Sequence, residues 1–328
     1  MVTGGAGFIG SHLCETLVAR GHSVCAVDDL FRGKRRNLEG CLPLDDFHLV
    51  SGDAGDLAVL EKALDKLGTV DVVFHLAAIN GTRWFHERPD LVARVNLSTV
   101  ESVIDFAGVH GCRIVFTSSP EAFGEQPEMP LGEGSDSIFS AAHLHRRHSY
   151  GASKYLAELL LQHSVHEDRL DARIVRPFNA YGPRLPGDAY GQVVAIFLDA
   201  CLRGEDIPVH GDGSQTRSFT YIDDIVEGIL LLAELDVGLD GSRLAGRSFN
   251  LGSTEEVSIS DLAAACIEVS GADVGMTSGD AHPGDSLRRL PDTEPVVAAL
   301  GWRASVSMMD GLRRCWAWLM ASRPPASD

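Results

Sequence analysis

Basic residues are scarce in this sequence. Its 328 residues include 28 lysines and arginines against 46 aspartates and glutamates, which gives a formal net charge of −18 at pH 7. A protein that binds nucleic acid needs a basic face to neutralise the phosphates, and this composition argues against one. We therefore expect no nucleic-acid partner. A small anionic ligand remains compatible with the sequence wherever a few arginines converge.

Long hydrophobic runs and closely spaced cysteines are also lacking. No apolar stretch reaches the roughly 18 residues that a membrane-spanning helix needs, and the N-terminus lacks the layout of a signal peptide. The seven cysteines are odd in number, lie far apart and form no C-x-x-C pair. This spacing is typical of reduced thiols in a protein core and does not suit a metal site. These absences predict a cytoplasmic protein without membrane contact or bound metal.

Apolar strand patterns alternate with helical patterns along the chain, without internal repeats or low-complexity tracts. This alternation predicts an α/β fold in which a Rossmann-type doubly wound parallel sheet is followed by a second, smaller α/β domain. Strands are expected near 23–27, 47–50, 71–78 and 113–119, with helices from about 56 and over 89–107. We assign residues 1–175 to the first domain and 176–328 to the second. Helices in the second domain are expected near 192–203, 222–235, 259–269 and 306–321.

A glycine-rich turn opens the chain and leads into a helical pattern. Glycines at this spacing permit a tight turn from strand to helix and let backbone amides approach a pyrophosphate at the helix N-terminus. Asp28 ends the second strand pattern, about 20 residues further on, where a carboxylate binds the adenosine ribose hydroxyls and repels a 2′-phosphate. The sequence therefore predicts NAD rather than NADP. The residues expected to hold it at the turn are Gly4, Gly7, Phe8, Ile9 and Gly10.

Two features of this half leave alternatives open. The basic run from Arg32 to Arg36 could hold a 2′-phosphate or could be a solvated loop. Asp53, after the third strand, could meet the adenine amino group or could cap a helix. Only three residues precede the first glycine, so the first strand looks clipped and we expect native residues upstream of Met1.

Tyr150 and Lys154 lie four residues apart at the start of a predicted helix, which puts both side chains on one face. An ammonium one turn away favours the phenolate, so Lys154 is expected to lower the pKa of Tyr150 toward a working range. The pair is then a candidate proton relay, although the same spacing also occurs in ordinary surface contacts. Ser119 ends a nearby strand, at the edge where open α/β sheets bind ligands.

Several motifs in a fixed order carry a family resemblance. The glycine turn, His75-Leu76-Ala77-Ala78, Thr117-Ser118-Ser119, Tyr150-x-x-x-Lys154 and Arg176-Pro177-Phe178-Asn179 resemble the extended short-chain dehydrogenase/reductase family that acts on nucleotide sugars. The resemblance covers nearly the whole chain and implies NAD as cofactor, a nucleotide-diphosphate sugar as substrate, and a homodimer. The implied catalytic residues are Ser119, Glu121, Tyr150 and Lys154. The further implied cofactor contacts are Asp28, Asp53, Leu76, Ala77, Ala78, Asn96, Tyr150 and Lys154.

The resemblance also implies how the nucleotide sugar is held. Arg217 lies in a segment that resembles the one whose arginine meets the diphosphate or the adjoining sugar, and Arg288 resembles that family's second diphosphate arginine. Arginine suits such positions because its planar fork binds two phosphate oxygens at once. The full set of implied substrate contacts is Ser119, Glu121, Arg147, Asn179, Arg217 and Arg288.

The residues around Ser119 bear on the reaction. Pro120 and Glu121 stand where 4,6-dehydratases carry an Asp-Glu pair, and proline cannot be a general acid, so that activity is disfavoured. A long segment ends in Arg147, three residues before Tyr150, and resembles the uronate decarboxylases that carry Pro-Arg-x-x-Tyr there. Arg146 replaces that proline, and Pro120 replaces a serine usual in those enzymes.

The lead hypothesis is therefore oxidation of UDP-glucuronate at C4, followed by loss of CO₂ from the resulting β-keto acid, with UDP-xylose or a UDP-4-keto-pentose as product. A nucleotide-sugar 4-epimerase is the alternative, because it shares every step up to the ketone. A non-catalytic NAD-binding sensor is a third alternative, which the intact Ser119, Tyr150 and Lys154 disfavour.

Overall fold

A computed structural model describes residues 1–144, 148–187, 192–279 and 286–322. The strands are β1 (Val2–Thr3), β2 (Val24–Asp28), β3 (Phe47–Ser51), β4 (Val72–His75), β5 (Arg113–Thr117), β6 (Ala172–Pro177), β7 (Ala180–Tyr181), β8 (Ile207–His210), β9 (Thr216–Ser218), β10 (Thr220–Tyr221), β11 (Ser248–Leu251), β12 (Glu256–Ser258), β13 (Met276–Gly279) and β14 (Arg288–Arg289). The helices are α1 (Phe8–Ala19), α2 (Leu57–Leu67), α3 (Thr82–Glu87), α4 (Pro89–His110), α5 (His148–His166), α6 (Val193–Arg203), α7 (Ile222–Glu234), α8 (Ile259–Ser270), α9 (Glu294–Leu300) and α10 (Met308–Ala321).

A seven-stranded sheet forms the centre of the molecule, in the order β11-β6-β5-β4-β1-β2-β3. Every neighbouring pair in it is parallel. The strand order reverses direction between β1 and β4, and ligands of open α/β sheets bind outside the carboxyl ends of the strands at such a point. The predicted doubly wound parallel sheet is confirmed.

Helices cover both faces of this sheet, which explains why its strands read as continuous apolar runs. One hydrophobic core joins Leu13 and Leu17 of α1 to Ile225 and Ile229 of α7. A second core packs α2, α4 and α5 against the opposite face of the sheet. All five residues of β2 are buried, as expected for a strand covered on both sides.

The second half of the chain supplies smaller sheets. β9 lies between β12 and β14, β7 pairs with β10, and β8 pairs with β13. Helices α6, α7, α8 and α10 occupy the four predicted helical regions to within a few residues. The division at residue 175 stays a prediction, and β11 from the second half forms an edge of the central sheet. Among the described residues, no helix is long and apolar enough to cross a membrane.

Candidate active site

The glycine turn between β1 and α1 is closely packed backbone. Gly4 has a φ of +70°, which L side chains rarely adopt, and a Cβ there would lie 2.8 Å from the backbone nitrogen of Ala77. A Cβ on Gly10 would lie 2.2 Å from the carbonyl oxygen of Gly4. The N-cap of α1 is Gly7, so no side chain caps the first amides of the helix. These N–H groups suit a pyrophosphate, and the turn thus fits the diphosphate of a dinucleotide.

Asp28 fixes the loop beside this turn. Its Oδ2 accepts a hydrogen bond from the Ala6 N–H at 2.9 Å, and its Oδ1 accepts one from the Leu30 N–H at 2.8 Å. Burial raises the pKa of the Asp28 carboxyl, and these two donors oppose the shift. The following basic run is largely solvated, since Lys34, Arg35 and Arg36 are exposed. The Asp28 carboxylate therefore lies where the adenosine ribose is expected, and the Ala6 and Leu30 N–H groups hold it there.

Two predicted cofactor contacts, Asn96 and Asp53, form hydrogen bonds within the protein. Asn96 is only 2% exposed, its Oδ1 accepts from the Ile79 N–H, and its Nδ2 donates to Ser153 Oγ at 3.1 Å. It therefore supports the loop after β4, which contains Leu76, Ala77 and Ala78, and its contact with NAD stays a prediction. Asp53 is exposed and accepts from the Gly55 N–H at 2.8 Å in a local turn, whereas the cap of α2 is Asp56.

Ser119 and Tyr150 meet at the carboxyl edge of β5. Ser119 caps a short 3₁₀ turn over Pro120–Phe123, with its Oγ accepting from the Glu121 N–H at 3.2 Å. A Cβ on Gly151 would lie 2.2 Å from the carbonyl oxygen of Glu121, so glycine lets α5 approach this turn closely. The Ser119 side chain lies close enough to the Tyr150 hydroxyl to oppose the rise in the Tyr150 pKa that burial causes. The structure thus brings the two predicted hydroxyls together.

Lys154 is buried one turn beyond Tyr150. Its ammonium donates to the Thr117 carbonyl oxygen at 2.7 Å and lies 5.8 Å from the centroid of the Tyr150 ring. Burial lowers the pKa of Lys154 to about 7, while the Glu158 carboxylate opposes that shift. Burial also raises the pKa of Tyr150. The expected lowering of the Tyr150 pKa is therefore wrong, because desolvation of the phenolate dominates.

A buried ion pair lies behind these residues, and sequence reasoning missed it. Glu158, one turn after Lys154, accepts from Arg176 Nε at 2.9 Å and from Ser118 Oγ at 2.5 Å. Both members of the pair are less than a tenth exposed. The pair ties the ends of β5 and β6 to α5, which fixes the helix that carries Tyr150 and Lys154.

In β14, Arg289 points toward Glu121, whereas Arg288, the predicted diphosphate contact, points toward Glu256. Arg289 is 8% exposed, forms an ion pair with Glu121, and donates to the Gly124 carbonyl oxygen at 3.3 Å. Arg288 faces the other way and binds Glu256, with 2.6 Å between Nε and Oε1. Successive side chains of a strand point to opposite faces, which explains the difference. A two-residue strand shows no periodic pattern, so the sequence could not indicate which arginine points inward.

Arg217 lies beside Arg289 in the three-stranded sheet formed by β12, β9 and β14. The two residues are register partners in the parallel pair of β9 and β14, so their side chains leave the same face. One Arg217 nitrogen donates to the carbonyl oxygen of Thr216 at 2.8 Å. Asn179 braces the neighbouring segment, with Nδ2 donating to the Ser218 carbonyl oxygen at 2.7 Å. Arg147 lies outside the described residues.

Comparison with known proteins gives consistent matches. Residues 1–252 match the model of the NAD dependent epimerase/dehydratase family. The UDP-glucuronic acid decarboxylase 1 of Arabidopsis thaliana is 32% identical over 315 residues, which is 96% of this chain and 68% of that protein. The UDP-N-acetyl-alpha-D-glucosaminuronate decarboxylase of Bacillus cytotoxicus is also 32% identical, over 97% of this chain and 96% of that protein.

Solved structures with the same fold include two epimerases. The UDP-glucose 4-epimerase of Thermotoga maritima with UDP-glucose has a TM-score of 0.88 and 28% identity, with 98% of each chain covered. The UDP-glucuronic acid 4-epimerase of Bacillus cereus, in complex with UDP-glucuronic acid and NAD, has a TM-score of 0.85 and 27% identity, again with 98% of each chain covered.

Proposed function

This chain belongs to the NAD dependent epimerase/dehydratase family, and we propose that it is an NAD-dependent decarboxylase of UDP-glucuronate. The observation that carries the proposal is the ion pair of Arg289 with Glu121, next to Ser119 and Tyr150. A buried guanidinium beside the hydroxyls that would hold the sugar provides a partner for a carboxylate. A neutral hydroxymethyl group could not form this additional ion pair, and the guanidinium would keep only Glu121 as its carboxylate partner.

The residues that would hold NAD are those of the glycine turn and its neighbours. The first amides of α1 would bind the pyrophosphate, Asp28 the adenosine ribose, and Lys154 the nicotinamide ribose. When bound, NAD supplies the acceptor for the hydrogen that leaves C4 of the sugar. Tyr150 would take the proton of the C4 hydroxyl, and Ser119 would orient that hydroxyl.

Oxidation at C4 places a carbonyl β to the substrate carboxylate. The bond to CO₂ then breaks with its electrons moving toward the C4 oxygen, where Tyr150, now carrying the proton, and Ser119 donate hydrogen bonds to the developing negative charge. Arginine has five N–H donors, so Arg289 can contact Glu121, Gly124 and a substrate carboxylate together. Glu121 would position the ring or a water molecule. Arg217, on the same sheet face, would bind the diphosphate.

The test is incubation of the pure protein with NAD⁺ and, separately, UDP-glucuronate, UDP-glucose and UDP-N-acetylglucosamine, with products weighed by mass spectrometry. The proposal is supported if CO₂ is released in the incubation with UDP-glucuronate and in neither of the other two. Conversion of UDP-glucuronate to an isomer of unchanged mass would instead identify a 4-epimerase, an activity carried by two of the similar solved structures. The absence of any product would favour a sensor.

Replacement of Asp28 by asparagine is expected to weaken NAD binding by about 1–3 kcal/mol, the scale of a lost hydrogen bond to a charged group. Asparagine matches the size of the side chain and keeps one acceptor oxygen, so the backbone contacts to Ala6 and Leu30 are only partly lost. Calorimetry with NAD and NADP measures the two affinities, and the variant should prefer NAD over NADP less strongly than the unaltered protein does. Equal affinity of the unaltered protein for both dinucleotides would contradict the assignment.

The proposal includes a cytoplasmic homodimer. All seven cysteines are buried free thiols, as expected in a reducing compartment. Leu156, Leu159 and Leu160 are exposed on α5, which packs beside α4, and a second copy would bury them. Leu161, in contrast, is part of the core.

Light scattering should give about twice the 35.2 kDa chain mass, and Leu159→Asp should lower the measured mass. A monomer mass for the unaltered protein would contradict the dimer.

A further inference from the structure

Two aromatic rings meet above the glycine turn. Phe31 lies in the loop after β2, and Trp84 lies in α3, after β4. Their ring centroids are 5.1 Å apart with an interplanar angle of 47°. β2 and β4 flank β1 on opposite sides, so segments that leave their carboxyl ends can meet only across the crevice above the turn that follows β1. The two rings therefore bridge the crevice that would hold the dinucleotide.

The loop after β2 is built to hold Phe31 in this place. The Leu30 N–H donates to Asp28 Oδ1, and the Phe31 N–H donates to Asp29 Oδ1 at 2.9 Å. Leu30 has a φ of +62°, a conformation that is unfavourable for a residue with a Cβ. Phe31 is nevertheless 47% exposed, so burial in the core does not explain its position. The strained loop presents an apolar ring toward the crevice and Trp84.

Helix α3, which carries Trp84, also contacts Tyr150, the candidate general base. Phe85 follows Trp84 in α3, is 5% exposed, and stacks on the Tyr150 ring with centroids 4.9 Å apart and an interplanar angle of 13°. Ile79 and Val92 complete this small cluster. One short helix thus carries one ring over the crevice and the next ring against Tyr150. Closure of the crevice and placement of Tyr150 depend on the same element.

We propose that Phe31 and Trp84 form an aromatic clasp that retains the dinucleotide through each turnover. The consequence for the product rests on the function proposed above. In a closed cycle, C4 loses and regains two electrons and one hydrogen, and C5 gains a proton from water in place of the carboxylate. The net change is therefore loss of CO₂, and the sugar product is a pentose. If the reduced dinucleotide leaves first, C4 remains a ketone and one NADH accompanies each CO₂. The clasp favours the closed cycle.

The direct test is the rate at which the protein releases NADH. The NADH-loaded protein is mixed with excess NAD⁺, and the loss of bound-NADH fluorescence is followed by stopped flow. Phe31→Ala should release NADH roughly three- to tenfold faster, the range expected for a lost aromatic pair. Phe31→Tyr keeps the ring and should retain slow release. Leu57→Ala removes an exposed apolar side chain from α2 and is the matched control.

A double-mutant cycle shows whether the contact itself matters. If the rings act together, Phe31→Ala combined with Trp84→Ala should release NADH no faster than the faster single variant. Multiplicative effects would mean that the two rings act separately and would overturn the clasp. Release from Phe31→Ala within twofold of the unaltered protein would also overturn it. Because Phe31 is half exposed in a loop, its replacement tests the clasp without opening the core.

The product measurement separates this inference from the proposed function. With UDP-glucuronate as substrate, Phe31→Ala should raise the ratio of NADH released to CO₂ released, with a matching rise in keto-sugar. An unchanged ratio alongside faster NADH release would overturn the link to the closed cycle. If the unaltered protein releases no CO₂, the decarboxylase assignment fails, and the release rates still decide whether the clasp exists.

Discussion

Tyr150→Phe is expected to lower turnover by about 10²- to 10⁴-fold while NAD and the nucleotide sugar still bind, since a general base contributes on that scale. The change removes one oxygen atom and leaves the ring that stacks on Phe85. The lost hydroxyl is the one near the Ser119 side chain, where the sugar hydroxyl is expected. Turnover measured with UDP-glucuronate, together with calorimetry for both ligands, separates loss of chemistry from loss of binding.

Tyr155→Phe is the matched control, because it removes a phenol hydroxyl from the next residue of α5 after Lys154, at a half-buried position. It should leave turnover near normal.

Lys154→Met should impair both NAD binding and turnover, since this ammonium is proposed to hold the nicotinamide ribose and to favour the Tyr150 phenolate. With its pKa near 7, Lys154 is charged below that pH and loses its charge as the pH rises through it. Near-normal turnover of Tyr150→Phe would mean that another residue is the general base.

The parts of the fold that the sequence predicted are those that depend on local pattern. Strands buried on both faces appear as short apolar runs, such as the first four residues of β2 (Val24–Asp28). The alternation of such runs with helical patterns predicts a parallel, doubly wound order. Ser119 and Tyr150 are far apart in the chain, yet each belongs to a local motif at the same edge of the sheet. The structure brings the two side chains near each other, so that Ser119 opposes the rise in the Tyr150 pKa.

The parts that the sequence did not predict depend on burial and on distant pairing. The pKa of Tyr150 depends on how deeply the hydroxyl is buried, which the spacing to Lys154 does not reveal. The partner of Glu121 comes from β14, at the far end of the chain. Asn96 is buried and accepts a hydrogen bond from the Ile79 N–H, an internal partner that motif position alone cannot reveal.

Arg289→Met is expected to narrow the preference for UDP-glucuronate over UDP-glucose by about 100-fold or more in the ratio of kcat/KM values, the equivalent of ~3 kcal/mol. Two effects act in the same direction. The substrate carboxylate loses its cationic partner, and Glu121 keeps a negative charge in the site with its Arg289 partner gone. UDP-glucose has no carboxylate and should be affected much less by either effect.

Arg288→Met provides the matched control, because it deletes the same charge from the adjacent residue of β14, on the side that binds Glu256. Its effect on the preference should be small, since an exposed ion pair contributes little. The double variant Glu121→Gln with Arg289→Met removes both charges, so it should relieve the repulsion without restoring the preference for a carboxylate. If Arg289→Met and Arg288→Met change the ratio equally, the inward guanidinium does not recognise the carboxylate. The observation on which the decarboxylase assignment rests would then be lost, even though Ser119, Tyr150 and Lys154 still suit oxidation at C4.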